Sequence, residues 1–318
     1  MKDRGGFLGG DALLFLTSII WGFAFVAQRV GMESLGPFAF NGVRYLIGAV
    51  TLVPLLFLLP GKPAGTSHDA EIPAAIGQEG KKGGTFARVY LPPLLAGGAM
   101  FFGSTFQQVG IVTTTAGNAA FITSLYVVIV PFLGSIFGRK VAGIDWLASL
   151  VAVGGLWLIT MTGGLSMSDG DFLVLVCAFF WALHIILIGR FASTYDPIRL
   201  AIGQFAIAGF LSLAVSLFTE RTDIAGIRSA LLPLLYGGVA SCGVAFTLQI
   251  FGQRRAKASH ASIILALEGL FGAVGGILLL GEPATMRLLA GGALMILATM
   301  LPQLWVLLRG MLRPMATP

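Results

Sequence analysis

The chain has 318 residues, 56% of them hydrophobic and only 11% charged. A water-soluble domain carries about 25% charged residues. The charge here is too sparse to coat a soluble surface, which excludes a soluble two-domain enzyme. The net charge of +6 lies in the connections and at the ends of apolar segments, which excludes a nucleic-acid binder.

Apolar windows predict ten membrane-spanning helices: 11–31, 37–59, 89–110, 116–137, 143–162, 169–189, 197–218, 231–251, 259–280 and 285–308. The first has no small-residue cleavage site behind it and reads as a retained span rather than a signal peptide. It carries Trp21 and, seven residues on and on the same face, Gln28. The second opens at Pro37, and Arg44 follows closely enough for its head to snorkel toward the outer surface. Residues 60–88 are Pro/Gly-rich, without apolar period, and read as a flexible loop. The third span closes on Gln107 and Gln108, and the fourth holds Asn118, Tyr126 and Pro131. In the sixth, His184 stands three residues after Trp181, on its face. The ninth holds His260, Glu268, Gly269 and Gly272. Cys177 and Cys242 fall inside spans and read as packing thiols.

Lys and Arg set the orientation. With the N-terminus cytoplasmic, fifteen of the twenty lie on that side and four (Arg29, Arg221, Arg228, Arg287) on the other, while Arg44 is within a span. Both termini are expected in the cytoplasm.

The chain repeats itself. An offset of 160 pairs Asp11 with Asp171, Trp21 with Trp181 and Pro37 with Pro197. An offset of 140 pairs "PLLAGGAMFFGSTF" (93–106) with "PLLYGGVASCGVAF" (233–246), seven identities in fourteen positions. An offset of 142 pairs Asn118 with His260, Tyr126 with Glu268 and Gly134 with Gly276. Each half, 11–165 and 169–310, therefore holds five spans, and the odd number turns the second copy over in the membrane. The expected architecture is an all-α polytopic membrane protein of two inverted five-helix repeats, an arrangement of alternating-access carriers with a site near the midplane between the halves.

"WGFAFVAQRV" with Pro37 and Arg44, and "LALEGLFGAVGGILLLGE" in the second half, resemble the EamA family of the drug/metabolite transporter superfamily. Gly269 stands where that family usually has proline, and Tyr126 takes the first-half position of Glu268. The resemblance covers nearly all of the chain outside 60–88. It implies ten helices, cytoplasmic termini, a central cavity, and export of small metabolites in the manner of the YddG-type amino-acid exporters.

A polar side chain within a span is costly, so each is a candidate for lining a watery cavity. Glu268 lies about 14 Å into its helix. It binds a substrate ammonium, carries a proton, or is held by a neighbouring helix. His260 either faces the same cavity at another depth or caps its helix. Tyr126 offers a hydroxyl or packs. Trp21 and Trp181 sit too deep to be headgroup anchors, and stack on substrate or pack between helices. Gln28, Gln108, Asn118 and His184 complete the candidate substrate-binding set. Arg44 reads as structural, and Glu282 as solvated or paired with Arg287. Gly134-x-x-x-Gly138 and Gly272-x-x-x-Gly276 let helices approach closely. Pro131, Gly269 and Gly272 weaken two helices in corresponding positions and are the candidate hinges.

No phosphate-binding loop, dinucleotide fingerprint, metal-spaced Cys/His cluster or nucleophile–base pair is present in the sequence. The expectation is a carrier without cofactor or metal, not an enzyme. It sits in the cell membrane with a small-molecule substrate and the lipid bilayer as its partners. The rivals are an exporter of drugs or other metabolites, a membrane-embedded enzyme, and a scaffold built on the 60–88 loop.

Overall fold

Short polar signals start several helices. Ser168 accepts from the backbone N–H of Asp171 while Asp171 accepts from that of Ser168, a reciprocal capping box before the sixth span. Asp196 accepts from Arg199 N at 2.8 Å with Pro197 in the first helical position of the seventh.

The computed structural model describes residues 4–58, 85–114, 116–138, 141–160, 168–281 and 284–312. Its helices are α1 (Arg4–Gly31), α2 (Pro37–Leu58), α3 (Thr85–Thr113), α4 (Ala116–Ser124), α5 (Tyr126–Ile136), α6 (Gly143–Thr160), α7 (Asp169–Phe191) and α8 (Pro197–Thr219). They continue with α9 (Ile224–Ser229), α10 (Leu231–Leu235), a π-helix (Tyr236–Phe246), α11 (Thr247–Gln253), α12 (Ala258–Leu265), α13 (Glu268–Leu280) and α14 (Met286–Leu312). Among the described residues, nine stretches are long and apolar enough to cross a membrane, and Gly143–Leu158 is a shorter apolar helix. The chain is an all-α polytopic membrane protein. Most of the loop expected at 60–88 lies outside the described residues, but α3 already begins at Thr85.

Helix neighbours repeat when the halves are exchanged. α2 packs on α8, its counterpart, and α6 on α14. The α3–α7 pair is matched by the π-helix and α11 against α1, and the α1–α13 pair by α4 and α5 against α7. Tyr45 and Phe205, counterparts at the offset of 160, stack with ring centroids 6.1 Å apart.

Two spans are broken in register. One breaks at Leu125 between α4 and α5, the other at Ala266–Leu267 between α12 and α13. Leu125 N donates to Ile122 O and Leu267 N to Ile264 O, the tight pattern of a single 3₁₀ turn. Leu125 and Leu267 are counterparts at the offset of 142. The breaks thus fall just before Tyr126 and Glu268, and not at the expected hinges. Pro131 lies inside α5, Gly269 and Gly272 inside α13. Proline leaves the Val127 carbonyl without its intrahelical donor, and Ser149 of α6 supplies one at 3.0 Å. The two glycines instead allow close packing: a Cβ on Gly269 would stand 2.5 Å from Leu156 Cδ2.

The eighth span departs from its counterpart in the third. Over Tyr236–Phe246 it widens into a π-helix, a conformation frequent at functional sites. Its carbonyls turn outward to α1: Thr17 donates to Ala245 O at 3.1 Å and Trp21 Nε1 to Ser241 O at 3.4 Å.

Candidate functional site

The matched breaks, the π-helix and the middle of α1, α2 and α7 surround one cavity of about 40 Å³. By that measure it holds about three water molecules. Six of the nine residues expected to bind substrate line it: Trp21, Gln28, Tyr126, Trp181, His184 and Glu268. They come from both halves, and periodicity on α1 and α7 is what brings Gln28 beside Trp21 and His184 beside Trp181.

An aromatic wall runs along one side. Phe246 sits 4.5 Å from Trp21 and 5.9 Å from Trp181, centroid to centroid, and edge-on to His184 at 5.7 Å. His184 Nε2 faces Gln204 Oε1 at 2.9 Å, which leaves Nδ1 free.

Much of the polar lining is unsatisfied. Gln28 Oε1, the Tyr126 hydroxyl, Trp181 Nε1, His184 Nδ1 and both side-chain atoms of Gln249 are buried without a hydrogen-bond partner. Native interiors rarely leave such atoms alone, so a cluster of them marks a place for water or a polar ligand. Glu268 is only 4% exposed. It begins α13, where the helix dipole favours an anion. The Tyr126 hydroxyl lies beside its carboxyl group.

Three candidates stand apart. Gln108 is fully buried behind the wall, its Nε2 donating to the backbone carbonyl of Gln28 at 3.4 Å. Asn118 belongs to α4, and its side chain lies outside the described residues. His260 is turned away from the cavity. Its Nε2 donates to Asp11 Oδ1 at 3.0 Å, while Gln303 donates to Asp11 Oδ2, so α1, α12 and α14 are tied together. His260 and Glu268 therefore do not front one cavity: Glu268 lines it, and His260 is engaged by Asp11 on the far side of the break at Ala266–Leu267.

Arg44 is the larger correction. It does not snorkel outward but is 3% exposed and lines the cavity. The other unforeseen lining residues include Tyr45, Ser241, Phe246 and Gln249. Gln107 also belongs there, bonded to Thr123 at 3.4 Å. The wall position of Phe246 had a signal in the repeat, since it closes the 233–246 segment that matches 93–106. Glu282 lies outside the described residues.

Among the described residues, no group of three or more His, Cys, Asp or Glu side chains could hold a metal ion.

The chain matches the EamA-like transporter family over residues 8–161 and again over 168–302. An uncharacterized transporter of Archaeoglobus fulgidus is 31% identical over 317 residues, covering 96% of this chain and 91% of the relative. An uncharacterized inner membrane transporter of Escherichia coli K12, YedA, is 27% identical over 229 residues, covering 71% and 66%. The Bacillus subtilis transporter YoaV, also uncharacterized, is 23% identical over 294 residues, covering 87% and 91%. A solved crystal structure superposes with a TM-score of 0.73 at 14% identity, covering 93% of this chain and 96% of that one, a likeness of fold. With the family matched once in each half of a polytopic helical chain, the protein belongs to the EamA-like transporter family and is a membrane transporter.

Proposed function

We propose that this transporter exports small polar metabolites, amino acids foremost, across the inner membrane by alternating access between two inverted five-helix halves. Both termini face the cytoplasm in this reading, as the Lys and Arg distribution requires. The observation that carries it is the cavity itself. Residues of both halves meet there, an aromatic wall faces buried polar atoms that have no protein partner, and Glu268 supplies a carboxylate for a substrate ammonium or a proton. The helices broken at Leu125 and Ala266–Leu267 are the moving elements, since discontinuous spans in matching positions form carrier sites.

The test is counterflow of a radiolabelled amino-acid panel in proteoliposomes, wild type beside Glu268→Gln. Uptake by wild type establishes an amino-acid carrier. Its retention in Glu268→Gln assigns Glu268 to architecture, and its loss in a folded variant assigns it to binding or coupling. Absence of uptake for every amino acid refutes the substrate assignment. The aromatic wall of Trp21, Trp181 and Phe246 favours lipophilic cations as the second substrate class to offer. Alternating access is tested by cysteine accessibility along 121–134 and 263–276, and equal labelling in both facing states overturns it.

A further inference from the structure

Arg44 is a buried cation with no anion beside it. Two of its nitrogens are occupied by neutral partners. Nε donates to Asn41 Oδ1 at 3.0 Å, and Asn41 is itself oriented by its Nδ2 donating to the Ser104 carbonyl at 3.1 Å. Nη2 reaches the Tyr45 hydroxyl at 3.3 Å. The guanidinium carbon lies 5.6 Å from the Phe40 ring centre and 4.8 Å from that of Tyr45. The stem lies against the π-helix at Gly237, where an added Cβ would come within 3.2 Å of Arg44 Cδ. Among the described residues, no carboxylate stands within ion-pair distance of the guanidinium and no acceptor meets Nη1. A buried charge in this state is costly unless something else compensates it.

The repeat sharpens the point. At the offset that pairs Trp21 with Trp181, Arg44 pairs with Gln204, a neutral amide engaged by His184. At the offset of 142, Glu268 pairs with neutral Tyr126. Each half thus places one acidic or basic group on the cavity wall where its counterpart is an amide or a phenol, a guanidinium from the first half and a carboxyl group from the second. The two do not pair with each other. A lining built on symmetric helices has become chemically asymmetric.

We infer that Arg44 is the anion-binding pole of this cavity and grips a carboxylate of the transported molecule through the guanidinium edge that Asn41 and Tyr45 leave open. Guanidinium donors match a carboxylate in a planar fork, and the aromatic rings around it hold that plane. The inference rests on the carrier reading above and adds the chemical group that every good substrate shares. Glu268 lines the same cavity, so a zwitterion admitted when the halves open this three-water space would meet a guanidinium and a carboxyl group in one site.

The experiment uses matched compounds with the full-length carrier in proteoliposomes. These are L-phenylalanine, phenethylamine (no carboxylate) and 3-phenylpropionate (no amine), together with the corresponding set built on L-leucine. Apparent affinity is read from counterflow and from competition. In wild type, deleting the carboxylate is expected to weaken affinity by about tenfold or more. The same deletion should cost at most about threefold in Arg44→Gln, because the partner is already gone. Arg44→Lys, which keeps the charge but not the fork, is expected to fall between. Amines handled as well as amino acids by wild type overturn the inference without touching the carrier reading, and this arm needs no variant to fold. An unchanged carboxylate preference in folded Arg44→Gln overturns it as well. Transport of the plain carboxylates but not the amino acids keeps the role of Arg44 and refutes amino-acid export. If none of the six compounds binds or moves, the inference falls, while the carrier reading still rests on the full amino-acid panel.

Discussion

Replacing Gly22 by alanine tests how closely α1 and α13 must approach. A Cβ built on Gly22 stands 2.4 Å from Phe271 Cβ and 2.7 Å from Gly272 N. Carbon atoms in ordinary contact lie about 3.5–4.0 Å apart, so the two helices must separate by ~1 Å. Neither neighbour can yield by changing rotamer, since one is a Cβ and the other backbone. Overpacking of this kind costs about 1–3 kcal/mol, against which alanine recovers roughly 1 kcal/mol of helix propensity. The expected net loss is about 2 kcal/mol, taking the upper end because backbone is involved. Trp21 is the adjacent residue and Glu268 is one turn before Gly272, so the separation also disturbs both walls of the cavity. Gly98→Ala is the control: nothing lies within 4 Å of its added Cβ, and there the substitution should stabilise by about 0.5–1 kcal/mol. Unfolding midpoints of the two variants in one detergent, with counterflow in parallel, make the comparison. Gly22→Ala as stable as Gly98→Ala would refute the close-approach argument.

Further outcomes follow from other contacts. Glu220, at the end of α8, accepts from Phe38 N at 2.9 Å and Ala39 N at 2.7 Å, capping α2 from the other half. Glu220→Ala should therefore destabilise by about 1–2 kcal/mol in the same unfolding assay. Ser149→Ala should cost about 1 kcal/mol alone but less in a Pro131→Ala background, where the restored N–H reclaims the Val127 carbonyl. Additive costs in that double-mutant cycle would refute the account of Pro131. Cys177 and Cys242 are fully buried, so a membrane-permeant maleimide should label neither until detergent unfolds the chain, and rapid labelling of the native carrier would contradict the packing.

The polytopic apolar spans, the internal repeat and the place of Glu268 within an apolar stretch were all legible in the sequence. Each depends on local composition or a fixed offset along the chain. Trp21 and Trp181 were legible as a pair for the same reason, and their cavity companions Gln28 and His184 followed from helical spacing. The partner of His260 was not legible, because Asp11 lies 249 residues away and no local pattern joins them. Nor was the inward turn of Arg44, which depends on Asn41 and Tyr45 on its own helix together with Gly237 on another. Breaks at Leu125 and Leu267 carry no glycine or proline of their own, so no local signal in the sequence marked them.

A deeper reason covers the rest. In water, a helix announces its buried face because the outer face must be polar. In a bilayer the outer face meets lipid tails as apolar as the core. Phe218 is 89% exposed and Phe205 fully buried on the same helix, and no hydropathy separates them. The sequence by itself determined that this chain is a polytopic membrane protein and that one unit occurs in it twice. Which faces turn inward, which polar groups share the cavity and where the helices break were decided only when the helices packed against one another.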